Sequence, residues 1–252
     1  MTDVKKITVV GATGLVGSAV VELLTAAGHD VVAASRNTGA DVVTGDGLAE
    51  ALAGAQVLID VVNSPSFEDD PVLKFFTASS ANLVAAAKEA GVGHYVALSI
   101  VGADGLPDSG YMRAKVVQER TIADSGLHHT IVRATQFHEF TEAITGALVV
   151  DGEVHAPDAR IQPVAAADVS AEVARVAVAE PVDGIVDFGG PEKMSFADMA
   201  RTVLTSQGAD TPVVVDPSAT YFGTAVGQDS LVTGDGAALA STTFADWLSA
   251  RP

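Results

Sequence analysis

Short runs of apolar, often β-branched residues alternate along the first half of the chain with longer stretches that are rich in alanine. Consecutive apolar positions are typical of parallel strands buried on both faces, and they predict strands at residues 7–10, 30–35, 41–46, 55–62, 94–100 and 128–134. The stretches between them have helical spacing and end at a glycine, which predicts helices at residues 15–28, 74–91 and 110–126. Alternation of this kind predicts an α/β fold with a doubly wound parallel sheet.

The alternation becomes less regular after about residue 135. The remaining segments predict a strand followed by a helix at 160–180, a strand at 184–190, a helix at 195–208, a strand at 211–216 and a last helix at 242–250. Ser195 is the expected N-cap of the helix at 195–208. We therefore expect residues 1–252 to form a single domain, whose residues from about 135 onward add a small lobe.

A glycine-rich turn, Gly-Ala-Thr-Gly-Leu-Val-Gly at residues 11–17, connects the first predicted strand to the first helix. Glycines here permit a tight turn and a close approach of the backbone to a pyrophosphate, to which the helix N-terminus offers free N–H groups. The spacing is GxxGxxG rather than GxGxxG, and packing glycines in a ligand-free fold are the alternative. The position favours a dinucleotide-binding Rossmann fold. The expected cofactor contacts are Gly11, Thr13, Gly14, Leu15, Val16 and Gly17.

The end of the second predicted strand bears on the choice between NAD and NADP. NAD sites usually carry an Asp or Glu there, which holds the ribose 2′-hydroxyl. This chain has Ser35, Arg36 and Asn37 instead, so that Arg36 can face a 2′-phosphate with two neutral donors beside it. The residues favour NADP(H) as the cofactor, and a solvated surface arginine is the alternative.

A tyrosine and a lysine, Tyr111 and Lys115, stand four residues apart in the third predicted helix and so share one face. Ser99 ends the preceding strand. Ligands of open parallel sheets bind beyond the carboxyl ends of the strands, where these three side chains can converge. The alternative is a surface helix with a packed tyrosine and a solvated lysine.

The chain resembles the short-chain dehydrogenase/reductases, and more closely their atypical, NmrA-like branch of small NAD(P)-binding proteins. The resemblance rests on GATGLVG at residues 11–17, on ANLVAAAKEAGVGHYVALSIVG at 81–102, and on GYMRAKVVQERTIADSGLHHTIVRATQF at 110–137. These segments cover most of residues 5–140, and the resemblance continues more weakly to the end of the chain. The occurrence of these segments in this order is more specific for the family than the glycine turn alone, which many folds share.

The resemblance implies catalytic roles for three residues. Tyr111 would donate the proton in carbonyl reduction or accept it in alcohol oxidation. Lys115 would lower the pKa of that tyrosine and bind the nicotinamide ribose, and Ser99 would polarise the substrate carbonyl. The hydride would come from the cofactor.

The resemblance also implies further cofactor contacts. Asn63 and Ser64 would lie near the inner ribose and phosphates, and Asp46 would meet the adenine. Many relatives have a proline-containing turn near the nicotinamide carboxamide. Here the corresponding turn ends in Thr135 and Gln136 without a proline, so Thr135 is the expected contact.

Aromatic residues after two predicted strands indicate a substrate side. Phe67 follows the strand at 55–62, and Phe137 and His138 follow the strand at 128–134. Aromatic walls with a few polar groups suit a small ketone, enone or quinone bound by the small lobe. Core phenylalanines and a hydrogen-bonded structural histidine are the alternatives.

The amino-acid composition limits the classes of partner that the protein can bind. Lys plus Arg is 14 and Asp plus Glu is 32, so the net charge of −18 opposes binding to nucleic acid and to anionic membranes. The chain has no cysteine, and no histidine or carboxylate spacing indicates a metal site. No apolar run is long enough for a membrane helix or a signal peptide, which predicts a cytoplasmic protein.

The sequence therefore predicts an NADP(H)-dependent oxidoreductase that acts on a small carbonyl compound or the corresponding alcohol. Two alternatives stay open. One is an NADP-binding redox sensor or regulator without turnover, which would act through a protein partner. The other is a sugar-nucleotide epimerase or dehydratase, against which the short C-terminal region argues.

Overall fold

Seven parallel strands form the central sheet of the computed structural model, which describes residues 4–251. From one edge to the other they are β12 (Ala238–Leu239), β9 (Gly184–Gly189), β5 (His129–Ala134), β4 (His94–Ile100), β3 (Val57–Asp60), β1 (Lys6–Val10) and β2 (Asp30–Ala34). Every neighbouring pair is parallel, as consecutive apolar residues predict. The predicted doubly wound α/β fold is confirmed.

Helices cover both faces of this sheet. On one face α1 (Leu15–Ala26) packs against α6 (Ala166–Val178). On the other face lie α2 (Leu48–Leu52), α3 (Asp69–Ala90) and α4 (Gly110–Ala123). Because the sheet is buried on both sides, successive strand residues enter different cores: Val96 packs on the side of α1, and Tyr95 packs on the side of α3.

The second half of the chain adds a smaller layer with its own apolar core. Its elements are α5 (Thr141–Ala147), β6 (Val149–Val150), β7 (Glu153–Ala156), β8 (Arg160–Ile161), β10 (Met194–Ser195), α7 (Phe196–Gln207), β11 (Val213–Val215) and α8 (Phe244–Ser249). Ile144, Val154 and Phe196 are buried in this core together with Met112 of α4. The core therefore joins the small layer to the central sheet through α4. As predicted, Ser195 caps α7, because its hydroxyl accepts from the N–H of Asp198 at 3.0 Å.

The strand predicted at residues 41–46 is wrong. This segment forms turns, in which Asp41 Oδ1 accepts from the N–H of Val43 at 2.7 Å, and Gly45 has a φ of +87°. Two adjacent valines resemble a strand in sequence, but a short polar side chain and a left-handed glycine stabilise a turn. The third strand of the sheet is therefore the one at Val57–Asp60.

The chain leaves β2 at one edge, passes over β1, and returns as β3 on the other side of β1. At such a reversal two neighbouring crossovers diverge and leave a crevice outside the carboxyl ends of the strands. The glycine turn lies at this crevice. Across residues 4–251, none of the helices combines the length and the apolar content needed to span a membrane.

Close packing at the glycine turn sets where α1 begins. Gly11 has a φ of +87°, and a Cβ on it would lie 2.8 Å from the carbonyl oxygen of Val61. A Cβ on Gly17 would overlap the carbonyl oxygen of Gly11. Both neighbours are backbone atoms, which have little freedom to move, so the turn tolerates only glycine at these two positions.

Gly17→Ala is expected to destabilise the protein by about 1–3 kcal/mol, because the added methyl group must displace backbone. Gly146→Ala is the matched control, since a methyl group on this exposed glycine of α5 would have no other atom within 4 Å. That control should be neutral or stabilise by up to about 1 kcal/mol. Urea unfolding measures both, and equal stabilities of the two variants would contradict the packing argument.

Candidate functional site

A cleft of about 1350 Å³ runs along the carboxyl edge of the central sheet. It extends from the glycine turn past the ends of β3, β4 and β5 to the small layer. The structure brings most of the predicted site residues into its wall: Gly11, Thr13, Gly14, Leu15, Val16, Ser35, Arg36, Asn63, Phe67, Ser99, Tyr111, Lys115, Thr135 and Phe137.

Five predicted site residues lie outside the wall of the cleft. Gly17 lies behind the turn, where it packs on Gly11. Asn37, in the short turn after β2, is exposed. Asp46 Oδ2 accepts from the hydroxyl of Thr44 at 2.8 Å. Ser64 is buried next to Asn63.

The fifth of these residues, His138, is buried on the far side of its turn. Its ring lies 5.1 Å from the ring of Phe244 and 5.3 Å from that of Trp247, measured between centroids. Burial lowers the pKa of His138, which keeps the imidazole neutral at ordinary pH. In this position His138 packs against α8 and does not face the cleft.

The N-terminus of α1 opens into the cleft without a side-chain cap. Gly14 precedes the helix and contributes no capping hydrogen bond, and no acidic residue occupies the first turn. The free N–H groups and the positive end of the helix dipole therefore face the cleft, which suits a phosphate group.

A second polar region of the cleft lies at the end of β2. Arg36 is exposed there, and within residues 4–251 the buried hydroxyl oxygen of Ser35 has no hydrogen-bond partner. Asp41, which the sequence analysis did not single out, also lines this region. The amide of Asn82 on α3 donates to the carbonyl oxygens of Val42 and Val43 at 3.0 and 2.9 Å, which fastens the same loop.

Tyr111 lies in the first turn of α4, where the hydroxyl of Ser109 caps the helix by accepting from the N–H of Met112. The Tyr111 hydroxyl donates to Asn63 Oδ1 at 2.8 Å. Its ring packs between Phe67 and Phe76, with centroid distances of 5.4 and 6.1 Å. Burial raises the pKa of Tyr111 to about 12, although the hydrogen bond with Asn63 offsets part of this rise.

Lys115 lies one turn further along α4 and is buried, with 3% of its surface exposed. Its Nζ donates to the carbonyl oxygen of Leu98 at 2.9 Å and to Gln118 Oε1, and it lies 4.5 Å from the ring centroid of Phe76. Burial lowers the pKa of Lys115 to about 8, against the attraction of Asp60 and Glu119. The sequence predicts that Lys115 lowers the pKa of Tyr111. In the unliganded protein the pKa of Tyr111 is set by burial and by the hydrogen bond with Asn63.

Ser99 is engaged by a buried ion pair. Its hydroxyl donates to Glu119 Oε1 at 2.5 Å. The same carboxylate accepts two hydrogen bonds from Arg133, from Nε at 2.9 Å and from Nη2 at 2.7 Å. Arg133 also reaches Asp104 at 3.0 Å. Ser99 therefore lines the cleft with its proton directed away from it.

Three residues of the second half of the chain that the sequence analysis did not assign to the site also line the cleft: Gln136, Tyr221 and Phe222. Phe140, which follows the predicted strand at 128–134 together with Phe137, lies in the same wall. Burial and the nearby Tyr111 raise the pKa of Tyr221 well above its usual range. The only sequence signal for Tyr221 and Phe222 is a pair of adjacent aromatic residues in an irregular segment far along the chain. Together with Tyr111 these groups form an apolar end of the cleft that contains two phenol hydroxyls, with the Gln136 amide buried beside it.

Comparisons with known proteins agree with this geometry. The NAD(P)H-binding family model matches residues 11–180, which is more than half of the chain. The photosystem II assembly factor Ycf39 of Cyanophora paradoxa is 29% identical over 147 residues, which cover 53% of this chain and 46% of that protein. The chain thus matches less than half the length of that relative.

Solved structures share the fold over most of the chain. The NADPH-dependent quinone oxidoreductase QOR2 of Escherichia coli, complexed with NADPH, is 25% identical with a TM-score of 0.62, over 83% of this chain and 77% of that one. The Bordetella bronchiseptica enzyme WbmG, complexed with NAD and UDP, has a TM-score of 0.72 over 98% and 92% of the two chains, at 17% identity. The latter likeness concerns the fold alone. The chain belongs to the NAD(P)H-binding family, within the short-chain dehydrogenase/reductase superfamily that its sequence resembles.

Proposed function

We propose that the protein is an NADP(H)-dependent oxidoreductase that reduces a small carbonyl compound or oxidises the corresponding alcohol. One observation carries the proposal: the Tyr111 hydroxyl lies in the same cleft as the uncapped N-terminus of α1, with buried Lys115 one turn away on α4. A cofactor site and a proton donor are the two parts that such a reaction needs.

The residues of the glycine turn fit a dinucleotide. The close packing that Gly11 and Gly17 permit brings the start of α1 to the cleft. The N–H groups of Gly11 and Gly14 already donate within the protein, so the pyrophosphate would bind the uncapped N–H groups of the first turn of α1. Asn63 and Thr135, which line the cleft further along the strand ends, would contact the rest of the cofactor. When bound, the cofactor supplies the hydride.

Ser35 and Arg36 support NADP(H) over NAD(H). The Ser35 hydroxyl oxygen is buried in the capping box with Thr38 and its proton has no acceptor within residues 4–251, and Arg36 supplies a positive charge beside it. A 2′-phosphate would use both groups. Asp41 lines this region, and its Oδ1 already accepts hydrogen bonds from two backbone N–H groups of its own turn. Asp46 of the same turn accepts from the hydroxyl of Thr44.

The state of Tyr111 supports the reductive direction. With a pKa of about 12 the hydroxyl is protonated at neutral pH, so it can donate a proton to a carbonyl oxygen that gains negative charge. The oxidative direction requires a tyrosinate, which burial disfavours. In the unliganded protein the Tyr111 proton is donated to Asn63 Oδ1 at 2.8 Å, so the hydroxyl would rotate from Asn63 to the carbonyl oxygen of the substrate before the proton transfers.

The apolar end of the cleft supports a small ketone, enone or quinone as substrate. Phe67, Phe137, Phe140 and Phe222 line it, and they come from both halves of the chain. We propose that residues 4–251 act as one domain in which the small layer forms the substrate side. His138 takes no part in this arrangement, because it packs against α8.

A regulator without turnover is the second candidate, and the match to Ycf39 favours it. That relative is described as an assembly factor, a function that involves protein partners. The UDP-N-acetylglucosamine 4-epimerase of Bacillus cereus, a structural neighbour at 20% identity, shares only the fold with this chain and carries no argument about the substrate. NADPH oxidation, followed at 340 nm against a panel of ketones, enones and quinones, separates enzyme from regulator. Tight NADPH binding with no turnover on any of them would favour the regulator.

Arg36→Ala should weaken NADPH binding about ten- to a hundredfold and leave NADH binding nearly unchanged, because the lost hydrogen bonds involve the 2′-phosphate alone. Arg120→Ala is the control for net charge, since Arg120 is exposed on α4 and does not line the cleft. Calorimetry measures both cofactors. Equal affinities of the unmodified protein for NADH and NADPH would disprove the NADP(H) assignment.

Tyr111→Phe should reduce turnover by about 10²–10⁴ and leave cofactor affinity unchanged, because it removes the proton donor and retains the ring. Tyr221→Phe is the matched control, which removes the other phenol hydroxyl of the same cleft. Its effect should be below about tenfold. If Tyr221→Phe were the inactive variant, Tyr221 would be the proton donor.

The buried amine of Lys115 should give the unliganded protein a characteristic pH dependence. Its pKa is about 8 in the folded protein and about 10.5 in the unfolded chain, so the unfolded chain binds more protons between these values. The unfolding free energy should therefore rise with pH, by about 1.5 kcal/mol from pH 8 to 9.5. Urea unfolding of Lys115→Met should lack this increment, and parallel profiles of the two proteins would show that Lys115 titrates normally.

A further inference from the structure

The side-chain amide of Gln136 is a buried polar group at the wall of the cleft that no step above uses. Gln136 lies just beyond β5, lines the cleft, and exposes 7% of its surface. Within residues 4–251 neither its amide oxygen nor its amide nitrogen has a hydrogen-bond partner. Most buried side-chain amides are hydrogen-bonded, so an unpaired one in the wall of a ligand cleft indicates a contact with a ligand.

The backbone around Gln136 is fixed, and only its side chain is free to bind. The carbonyl oxygen of Gln136 accepts from the N–H of Val164 at 2.9 Å. Two residues later the N–H of His138 donates to the carbonyl oxygen of Val164 at 2.8 Å. This short ladder extends β5 beyond its end and fixes the backbone of Gln136 at the wall of the cleft, so that a rotation of the side chain alone would bring its buried amide to a ligand.

The neighbouring strand explains why such a donor is needed. A carbonyl oxygen bound in this cleft requires hydrogen-bond donors, and Tyr111 is one. The Ser99 proton is already held by Glu119 at 2.5 Å, and Arg133 fixes that carboxylate. Ser99 can therefore accept a hydrogen bond from a ligand without donating one. Ser99 pairs with Arg133 across the β4–β5 ladder, three residues before Gln136.

We propose that the Gln136 amide binds the polar end of the substrate, donating to its carbonyl oxygen and accepting from an N–H or O–H group on the adjacent atom. The proposal rests on the oxidoreductase function above and narrows its substrate class to carbonyl compounds with a neighbouring donor, such as α-hydroxyketones. A primary amide presents a donor and an acceptor side by side, which matches such a group with two parallel hydrogen bonds. A simple ketone would leave the amide oxygen unpaired.

Two probes of nearly equal shape test this pairing by binding alone. Benzamide presents a donor beside its carbonyl, and acetophenone has a methyl group there. With the protein saturated with NADP⁺, calorimetry should find benzamide binding about tenfold or more tightly than acetophenone. In Gln136→Leu the two affinities should agree within about twofold. Gln207→Leu, a change at an exposed glutamine of α7, should keep the preference.

A second measurement separates ligand binding from a structural role. An unpaired buried amide contributes no stabilising hydrogen bond, so Gln136→Leu should unfold at the same temperature as the unmodified protein or higher. A clearly lower unfolding temperature would show that Gln136 supports the fold and would overturn the proposal. NADP⁺ affinity should not change.

The remaining outcomes are also decisive. A preference for benzamide that appears only in the absence of NADP⁺ would assign the amide to the carboxamide of the cofactor and overturn the proposal. Equal binding of the two probes to the unmodified protein, or binding of neither, would do the same. Absence of NADPH oxidation with all carbonyl compounds would instead count against the oxidoreductase function, while the binding preference would still report on Gln136.

Discussion

The anchoring of α4 to the sheet by buried polar side chains determines where the candidate catalytic groups lie. Lys115, Gln118 and Glu119 form one face of this helix, and each bonds to a different strand. Lys115 reaches the carbonyl oxygen of Leu98 in β4, Gln118 donates to Asp60 at the end of β3, and Glu119 pairs with Arg133 of β5. Contacts with three adjacent strands fix both the height and the rotation of the helix.

This anchoring has an energetic cost that apolar packing would not have. A buried carboxylate and a buried amine are stable only while their partners are present, and removing one partner of such a pair typically costs about 3–5 kcal/mol. Each group here has more than one contact: Asp60 Oδ2 accepts from both Tyr95 and Gln118, and Glu119 accepts from both Ser99 and Arg133. In return, Tyr111 is carried into the cleft in a single orientation, which catalysis of proton transfer requires.

The sequence predicted the parts of the molecule that depend on local pattern. Apolar runs identified the main strands, and the glycine turn and the four-residue spacing of Tyr111 and Lys115 located both ends of the cleft. The strand predicted at 41–46 was wrong because the prediction gave more weight to two adjacent valines than to the turn-forming residues Asp41 and Gly45. Tyr221 could not be found in this way, since the fold brings it to the cleft from a segment without a regular pattern. Gln136 follows a predicted strand, but its lack of hydrogen-bond partners depends on contacts that no local pattern shows. The engagement of Ser99 by Glu119 likewise depends on a contact between residues 20 positions apart.

The overall charge explains why the cofactor contacts must be local. A protein of net charge −18 repels an anionic dinucleotide at long range, although salt at physiological concentration screens this repulsion beyond about 8 Å. Binding then depends on what lies within that distance. The first turn of α1 carries no acidic residue, and Arg36 lines the cleft where we propose that the 2′-phosphate binds. The dipole of α1 and the guanidinium of Arg36 act at close range, where screening by salt is weakest. A strongly acidic chain can therefore hold an anionic ligand without a positive field over its whole surface.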